Sequence, residues 1–592
     1  MSSFLEKHKI IFVSGLLLIL LLLEITSSVQ ENQTIDEGVH LAAGYSYWMK
    51  RDFRMNTEHP PFIKELAALP LVALGDKVSS PFSSPAWDGY DEWRFAKDFI
   101  YHNLIPADTI LLLGRIPIML LSLLLGYYIF RWARELFGIK AALLALLLYT
   151  FSPNIIAHSR YITTDIGVVA FYFITAYYLY KFIRTNSVHF VILSGIFLGL
   201  AEASKFNAIM LIPVIVVILL VAKFLDKKSR TPVSLQIIPA GIIIFSICAL
   251  IIFASYFGAY QKPIYDHNVQ KLYSQLEYIL TTHDYTDVKP IANNLITFAD
   301  PRTTSGQYML HTAAYLVIPA YPYVNGFLKL YFHNYTGHLS YLLGDYSDFG
   351  WWYYFPVAYA AKTPLSELLL FMAGMVYAAY VILRRSNALS YKEPWLYCTV
   401  IPPLFYFAWS MTGHINLGVR HVLIIEPFVF IIIALVFHKV IVQKKKWLYA
   451  VVLLIIAFQL YSVIKIYPNF IAYFNEAAGG PKNGHSILVD SNIDWGQDAK
   501  KLKTYMTENS IDHVCMSYFG QAPLEYYGIN NWYLPDNENI QHQGEFKCVV
   551  AISITSLYSE KREYEWLLRF QPTATIGYSI NIYDFRKSGV IF

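Results

Sequence analysis

Long apolar runs alternate with short polar connections over most of this chain. The runs approach the length of about 20 residues that crosses the hydrocarbon core of a bilayer, and the pattern predicts about eleven membrane-spanning helices. We expect these helices at residues 10–29, 110–130, 141–156, 166–180, 190–203, 208–222, 235–255, 364–383, 395–411, 422–437 and 447–464. Lys7 and Lys9 precede the first run and no small-residue cleavage site follows it, which indicates an uncleaved anchor rather than a signal peptide.

Basic residues are concentrated in alternate connections between these runs. The basic connections are RWARELFGIK, KFIRTN, KFLDKKSR, RRSNALSYKE and HKVIVQKKK. The positive-inside rule places all of them, and therefore the N-terminus, in the cytoplasm. The outer side is then predicted to contain the loops 30–109 and 257–363, the segment HSRYITTD and everything after the last run.

The composition changes from about residue 467 onward. A segment typical of a strand, an acidic turn and a helix is followed by the strand-like segments VCMSYF, KCVVAISI and ATIGYSINIYDF. We therefore predict a transmembrane domain at residues 1–466 and a soluble extracytoplasmic domain of α/β or α+β class at residues 467–592. Cys515 and Cys548 lie in two of these strands and pair if the strands are neighbours, which their spacing leaves open.

Overall composition fixes the broad class as an α-helical polytopic membrane protein. Of the 592 residues 56% are hydrophobic and 15% charged, and the mean hydropathy is +0.39. The net charge of +4 is spread over short loops, so we expect membrane lipids as neighbours and no nucleic acid partner. The cysteine and histidine spacings do not resemble a zinc site, and we predict no metal or other cofactor.

An acidic pair, Asp36 and Glu37, directly follows the first apolar run at a predicted helix start. Thr34 and Glu37 have the spacing of a capping box, which gives Glu37 a structural alternative to a chemical role. For Asp36 the alternative is a favourable charge at a helix N-terminus, worth under about 1 kcal/mol at an exposed site. The pair is therefore a candidate for carboxylate chemistry next to the bilayer.

Basic residues share the predicted outer side with this pair. Lys64 follows the prolines of EHPPFIKELAALPL, and either extends to the lipid headgroups or binds a lipid phosphate. Lys205 either forms an ion pair with Glu202 three residues earlier or joins the outer cluster. Arg160 and Asp165 of SRYITTD, Lys362 and Arg420 mark further outer boundaries of the membrane.

These motifs together resemble the phospholipid-carrier-dependent glycosyltransferases, relatives of the protein O-mannosyltransferases and of the lipid A aminoarabinose transferases. The motifs are the acidic pair, HPPFIKELAALPL, SRYITTD, SKFNAIM, GDYSDFGWWYYFPVAYAAKTP, INLGVRHVLIIEPF, and YPNFIAYFNEAAGGP followed by SNIDWGQD. The resemblance implies a GT-C fold, a polyprenyl-phosphate sugar donor and catalysis at the outer face. It also implies that Asp36 is the catalytic aspartate, Glu37 its acidic neighbour, and Lys64 a contact of the lipid phosphate.

We therefore predict an inverting glycosyltransferase of the cell membrane, with a glycan, lipid or protein acceptor. Asp36 and Glu37 are the predicted catalytic residues. The predicted donor-phosphate or substrate-binding residues are His59, Lys64, Arg160, Asp165, Lys205, Lys362 and Arg420. In SNIDWGQD an acidic helix cap closed by Trp495 competes with an acceptor-binding turn. The alternative function is a transporter or flippase of a lipid-linked or anionic substrate, which would place ionisable residues on broken helices at mid-membrane.

Overall fold

The protein is predominantly helical in a computed structural model that describes residues 2–225, 237–257, 321–383, 393–542, 544–586 and 590–591. Its first helices are α1 Ser2–Lys7, α2 Lys9–Ser28, α3 Ile35–Lys50, α4 Phe62–Ala73, α5 Pro85–Asp88, α6 Glu92–Tyr101, α7 Ala107–Phe137, α8 Ile139–Thr150, α9 Pro153–His158, α10 Asp165–Thr185, α11 Val188–Glu202, α12 Leu211–Leu225 and α13 Ile237–Ser255. The later helices are α14 Tyr321–Thr336, α15 Tyr354–Lys362, α16 Leu365–Leu383, α17 Pro394–Ser410, α18 Glu426–Gln443, α19 Lys446–Ile466, α20 Ala499–Glu508 and α21 Ile554–Leu557.

Every apolar run identified in the sequence coincides with a helix where the structure describes it. Among the described residues, seven helices are long and apolar enough to cross a membrane, namely α2, α7, α10, α13, α19 and the helical segments Phe206–Leu225 and Val419–Gln443. The remaining predicted runs form α8, α11, α16 and α17. The polytopic helical class is confirmed. Most of the outer loop 257–363 and the basic connections KFLDKKSR and RRSNALSYKE lie largely outside the described residues.

Two of the helices lie at the centre of the bundle and begin at the end that is predicted to face outward. The apolar window of α10 is 89% buried, and that of the segment Val419–Gln443 is 83% buried. Apolar side chains on all faces of a helix favour such a central position. Because α10 starts at Asp165 and the other segment starts at Val419, polar residues at these starts are brought together between packed neighbours.

The C-terminal region contains a five-stranded mixed sheet. Its strands lie side by side in the order Asn530–Tyr533, His513–Ser517, Val549–Ser553, Ile580–Asp584 and Ala574–Ile576. The strands are β1 Ser340–Leu342, β2 Asp345–Ser347, β3 His513–Ser517, β4 Asn530–Tyr533, β5 Glu545–Phe546, β6 Val549–Ser553, β7 Ala574–Ile576, β8 Ile580–Asp584 and β9 Val590–Ile591. Strand β3 pairs in parallel with β4 and β6, and β8 pairs antiparallel with β6 and β7. Because β3 and β6 are neighbours, Cys515 and Cys548 form a disulfide, which answers the question that the spacing left open.

The chain between α19 and this sheet packs against the helical bundle. Phe470, Phe474, Leu488 and Ile493 are buried in the same apolar cluster as the central helices. The end of α15 is fastened to this segment, because Asn475 N donates to Ala361 O at 2.9 Å. The predicted division at residue 466 stays a prediction, but the residues that follow α19 extend the wall of the bundle.

Candidate functional site

Four charged side chains from distant parts of the sequence meet at the end of the bundle that the charge pattern predicts to face outward. Asp36 lies on the first turn of α3, Asp165 begins α10, and Arg420 follows the start of a 3-10 helix, Val419–Ile425. Arg420 Nη1 lies 2.8 Å from Asp36 Oδ2 and 3.8 Å from Asp165 Oδ2, while Lys205 Nζ lies 2.5 Å from Asp165 Oδ1. The carboxylates and cations therefore alternate in the order Asp36, Arg420, Asp165, Lys205. We call this group the outer charge cluster.

Within the outer charge cluster, Asp36 is the group most accessible to a substrate. The side chains of Arg420, Asp165 and Lys205 are 10%, 2% and 6% exposed, whereas that of Asp36 is 25% exposed. Charge-assisted hydrogen bonds hold the buried members in place. An accessible carboxylate beside fixed cations suits proton transfer next to an anionic group.

Glu37 points away from the outer charge cluster and connects the start of α3 to its neighbours. Its carboxylate accepts from Thr34 N at 2.9 Å, from Arg115 Nε and Nη2 at 2.8 and 2.7 Å, and from Ile162 N at 3.1 Å. The bond to Thr34 is the one that the capping-box spacing predicts. Glu37 is completely buried, so its observed contacts are structural, and its predicted catalytic role stays untested.

Arg420 rests on an aromatic ring that the sequence alone did not connect with it. Its guanidinium carbon lies 4.3 Å from the centre of the Trp495 ring, a favourable cation–π arrangement. The turn that contains Trp495 also pairs with the chain just before α3, because Ile35 N donates to Trp495 O at 3.1 Å. The SNIDWGQD segment thus builds one wall of the outer charge cluster.

The acidic helix cap expected in this segment is not formed as predicted. Asp498 occupies the N-cap position of α20 without a side-chain capping bond. Its carboxylate instead accepts from Ser579 Oγ at 2.6 Å and pairs with Lys501 at 2.6 Å. These partners tie α20 to the sheet and leave Trp495 as the residue of this turn that contacts the outer charge cluster.

Lys64 is buried beneath the loop that precedes α4 and does not extend to the headgroups. Its Nζ donates to the carbonyl oxygen of His59 at 2.7 Å, to that of Asn56, and to Tyr47 Oη at 3.4 Å. Burial lowers the pKa of Lys64 to about 7. The expected snorkelling of Lys64 is wrong because oxygen acceptors inside the fold satisfy its ammonium. Its predicted contact with a donor phosphate is untested.

Two histidines lie between Lys64 and the outer charge cluster. The rings of His40 and His59 are 5.6 Å apart, and His40 Nδ1 donates to Ile162 O at 2.8 Å. Burial lowers the pKa of His40 to about 4 and that of His59 well below its usual range, so both are neutral at pH 7. His59 was predicted as a substrate-binding residue, whereas His40 was missed because it lies within an otherwise apolar stretch of α3.

The remaining predicted binding residues have internal partners. Arg160 pairs with Glu31 at 2.9 Å and donates to Tyr161 Oη at 3.1 Å. Lys362 Nζ donates to the carbonyl oxygens of Ile471 at 2.7 Å and Asn492 at 2.5 Å. These two cations fasten the chain on either side of the outer charge cluster and are not part of it.

The sequence offered two partners for Lys205, and the structure selects one. The ion pair with Glu202 is wrong, because Glu202 Oε2 accepts from Tyr323 Oη at 2.9 Å and the Lys205 ammonium faces Asp165. The extended backbone of Lys205 after α11 turns its side chain toward α10. Lys205 therefore joins the outer charge cluster, as the second alternative predicted.

Glu37→Gln is expected to destabilise the protein by about 3–5 kcal/mol, because it leaves the buried Arg115 without an anionic partner. Thermal unfolding of the purified protein in detergent measures this, and Glu508→Gln, at an exposed helix end, is the control. An unchanged midpoint for Glu37→Gln would contradict the structural role of this ion pair.

Residues 111–252 match the family model of the dolichyl-phosphate-mannose-protein mannosyltransferases. The family resemblance suggested by the motifs is confirmed. The matched segment includes Asp165 and Lys205 of the outer charge cluster. No curated protein matches the chain.

Three solved membrane glycosyltransferases are similar to the chain at low identity. The oligosaccharyltransferase of Archaeoglobus fulgidus is 13% identical with a TM-score of 0.49, over 100% of this chain and 76% of that one. ArnT of Cupriavidus metallidurans bound to undecaprenyl phosphate is 10% identical with a TM-score of 0.42, over 98% of both chains. The Pmt1-Pmt2 complex of S. cerevisiae is 19% identical with a TM-score of 0.32, and the match spans 42% of this chain and only 33% of that one. At these scores the three structures say nothing about the substrate of this chain.

Proposed function

We propose that the protein transfers a sugar from a polyprenyl-phosphate donor to an acceptor hydroxyl at the outer face of the membrane, with inversion at the anomeric carbon. The observation that supports this most is the outer charge cluster. It combines an accessible carboxylate, Asp36, with Arg420 held 2.8 Å away, at the ends of membrane-spanning helices. In this proposal the helix ends lie at the level of the bilayer surface, where the phosphate of a lipid-linked donor reaches the outer charge cluster.

In the proposed step, Asp36 accepts the proton of the acceptor hydroxyl as its oxygen forms a bond to the anomeric carbon. The bond from that carbon to the phosphate oxygen breaks, and its electron pair leaves with the polyprenyl phosphate. Arg420 and Lys205 stabilise the negative charge on the departing phosphate. Asp165 keeps these two cations in position through its ion pairs with both.

The other predicted binding residues support the reaction indirectly in this proposal. Lys64 holds the carbonyl groups of the loop 56–59, and Glu37 fixes the start of α3. A transporter or flippase fits this arrangement less well, because the outer charge cluster lies at helix ends and not on broken helices at mid-membrane.

The decisive experiment uses the full-length protein in lipid nanodiscs and a panel of polyprenyl-phosphate sugars labelled in the sugar, with the mannose donor included. We expect the release of polyprenyl phosphate and the transfer or slow hydrolysis of one sugar. NMR of the product then gives its anomeric configuration, which we expect to be opposite to that of the donor. Absence of sugar release from every donor, together with lipid movement across the bilayer of proteoliposomes that contain the protein, would favour the transporter.

A reporter enzyme that works only outside the cytoplasm is expected to be active when it is fused after Phe592. The reason is that the predicted topology places the C-terminal region on the outer side. Alkaline phosphatase activity in whole cells measures this. The control is the same reporter fused after Lys445, in the basic connection between α18 and α19, where it should be inactive. The opposite pattern would overturn the outer-face assignment.

A further inference from the structure

A cavity of about 340 Å³ lies between the β1–β2 hairpin, the chain before Arg420 and the C-terminal domain. This volume is at the lower end of the range for small-molecule sites, about 300–1,000 Å³. Hydrogen bonds hold the hairpin against the C-terminal region, since Tyr346 Oη donates to Tyr558 O at 2.7 Å and Tyr341 Oη to His485 O at 2.9 Å. The proposed reaction does not yet use it.

The cavity is directly connected to the outer charge cluster through Asp490 and its neighbours. Val419 N donates to Asn492 Oδ1 at 3.0 Å, and Ser491 Oγ donates to Leu417 O at 2.7 Å, so the cavity wall is bonded to the residues just before Arg420. Asp490 lines the cavity and interacts electrostatically with both Arg420 and Asp36. The wall of the cavity is therefore bonded to the chain that precedes Arg420 and bears a carboxylate within electrostatic range of Asp36.

Asp490 also has a backbone conformation that is unusual for an aspartate. Its φ is +58°, in the left-handed region, which costs energy for a residue other than glycine. Asp490 N donates to Thr555 Oγ1 at 3.1 Å, which fastens this turn to the C-terminal domain. The strained turn keeps the carboxylate at the junction between the cavity and the outer charge cluster.

The lining combines aromatic rings with hydroxyl and carboxylate groups. The rings of Tyr341 and Tyr346 lie 5.3 Å apart, and that of Tyr558 lies 6.4 Å from Tyr341. Ser559 Oγ, also in the lining, is buried and has no hydrogen-bond partner among the described residues. Flat rings pack against the C–H faces of a sugar ring, while hydroxyls and carboxylates exchange hydrogen bonds with sugar hydroxyls.

The charge of the lining disfavours an anionic acceptor. Asp490, Glu560 and Glu563 line the cavity, and the described lining residues include no lysine or arginine. A phosphorylated lipid headgroup would be repelled by these three carboxylates, and the described part of the lining supplies no lysine or arginine to pair with it. A neutral molecule rich in hydroxyl groups meets no such penalty.

We propose that this cavity binds the acceptor and that the acceptor is a neutral saccharide, one hydroxyl of which extends past Asp490 to Asp36. The inference rests on the proposed function and specifies the substrate class of the same site. Transfer then forms the bond between that hydroxyl oxygen and the anomeric carbon of the donor sugar, the proton moves to Asp36, and polyprenyl phosphate leaves.

The test measures saccharide binding without any turnover, by saturation-transfer NMR on the full-length protein with mannobiose and cellobiose as probes. Ser559→Trp places a large ring in the cavity, and Thr507→Trp adds the same ring at an exposed position of α20. We expect at least one probe to bind the wild type and the Thr507→Trp variant, and to bind Ser559→Trp about tenfold more weakly or not at all, because stacking and hydrogen bonds are lost. Tyr558→Ala, which removes a wall ring, should weaken binding as well and serves if Ser559→Trp does not fold.

Release of sugar from the polyprenyl-phosphate donor to water is measured on the same variants. Lost saccharide binding by Ser559→Trp, with saccharide binding and donor release both kept by Thr507→Trp, supports an acceptor cavity lined by Ser559. The saccharide assignment is overturned if Ser559→Trp and Tyr558→Ala both leave saccharide binding unchanged. It is also overturned if a peptide that contains serine and threonine binds and neither saccharide does. If the wild type releases no sugar from any donor, the proposed function fails, whereas the binding result still decides the cavity.

Discussion

Asp36→Asn is expected to lower glycosyl transfer by about 10²- to 10⁴-fold while donor binding is largely kept. Asparagine has nearly the same size as aspartate and still accepts a hydrogen bond from Arg420, which lies 2.8 Å from Asp36 in the structure. It cannot accept the proton of the acceptor hydroxyl. The loss should therefore appear in kcat and not in the affinity for the polyprenyl-phosphate donor.

Steady-state transfer and equilibrium donor binding, measured on the same nanodisc preparation, separate the two effects. The control is Asp108→Asn, since Asp108 is also an outer carboxylate in an ion pair, with Lys500 at 2.9 Å, but it lies on the surface at 45% exposure. Transfer at the wild-type rate by folded Asp36→Asn protein would exclude Asp36 as the base.

The sequence distinguished Asp36 from Glu37 through local helix chemistry, and the geometry follows that distinction. The capping-box spacing gave Glu37 a structural alternative, and Glu37 is buried against Thr34 and Arg115. The side chain of the preceding residue, Asp36, faces a different direction and forms an ion pair with Arg420. Such a difference between adjacent residues is predictable because helix periodicity turns neighbours by about 100°.

The contact between Arg420 and Trp495 could not be predicted in the same way. It joins a 3-10 segment within the membrane domain to a turn beyond the last membrane helix, and no local pattern encodes such a contact. The charge pattern of the sequence predicted only that both segments lie on the outer side. The sequence indicated a separate C-terminal domain, whereas the turn of this region that contains Trp495 contacts the outer charge cluster.

The predicted topology also does not indicate which partner each basic side chain binds. The predicted topology assigns Lys64, Arg160 and Lys362 to the same side as Lys205 and Arg420, so all five were predicted to bind one substrate. Carbonyl oxygens of nearby loops satisfy Lys64 and Lys362, and Glu31 satisfies Arg160. A basic residue at a membrane boundary pairs with the carbonyl or carboxylate oxygens that lie nearest to it in the fold. Tertiary contacts decide which oxygens those are.

Arg420→Lys should lower transfer by about 10²- to 10³-fold although the positive charge is kept. The guanidinium bridges Asp36 and Asp165, and its carbon lies 4.3 Å from the centre of the Trp495 ring. A lysine ammonium is a compact charge that cannot make these three contacts together. It would leave both the departing phosphate and the Asp36 carboxylate less well positioned, so kcat should fall more than donor affinity.

Arg54→Lys is the matched control for this substitution. Arg54 pairs with Asp52 at 2.5 Å and lies 4.9 Å from the Trp87 ring, so it has the same kinds of partner on the outer side without belonging to the outer charge cluster. We expect Arg54→Lys to retain transfer within a few-fold of the wild type, since single surface ion pairs contribute about 0–1 kcal/mol. Equal losses in the two variants would show that cation–π and ion-pair contacts stabilise the outer loops in general. A loss confined to Arg420→Lys, with an unchanged unfolding midpoint, would show that the geometry of this guanidinium acts on the reacting phosphate.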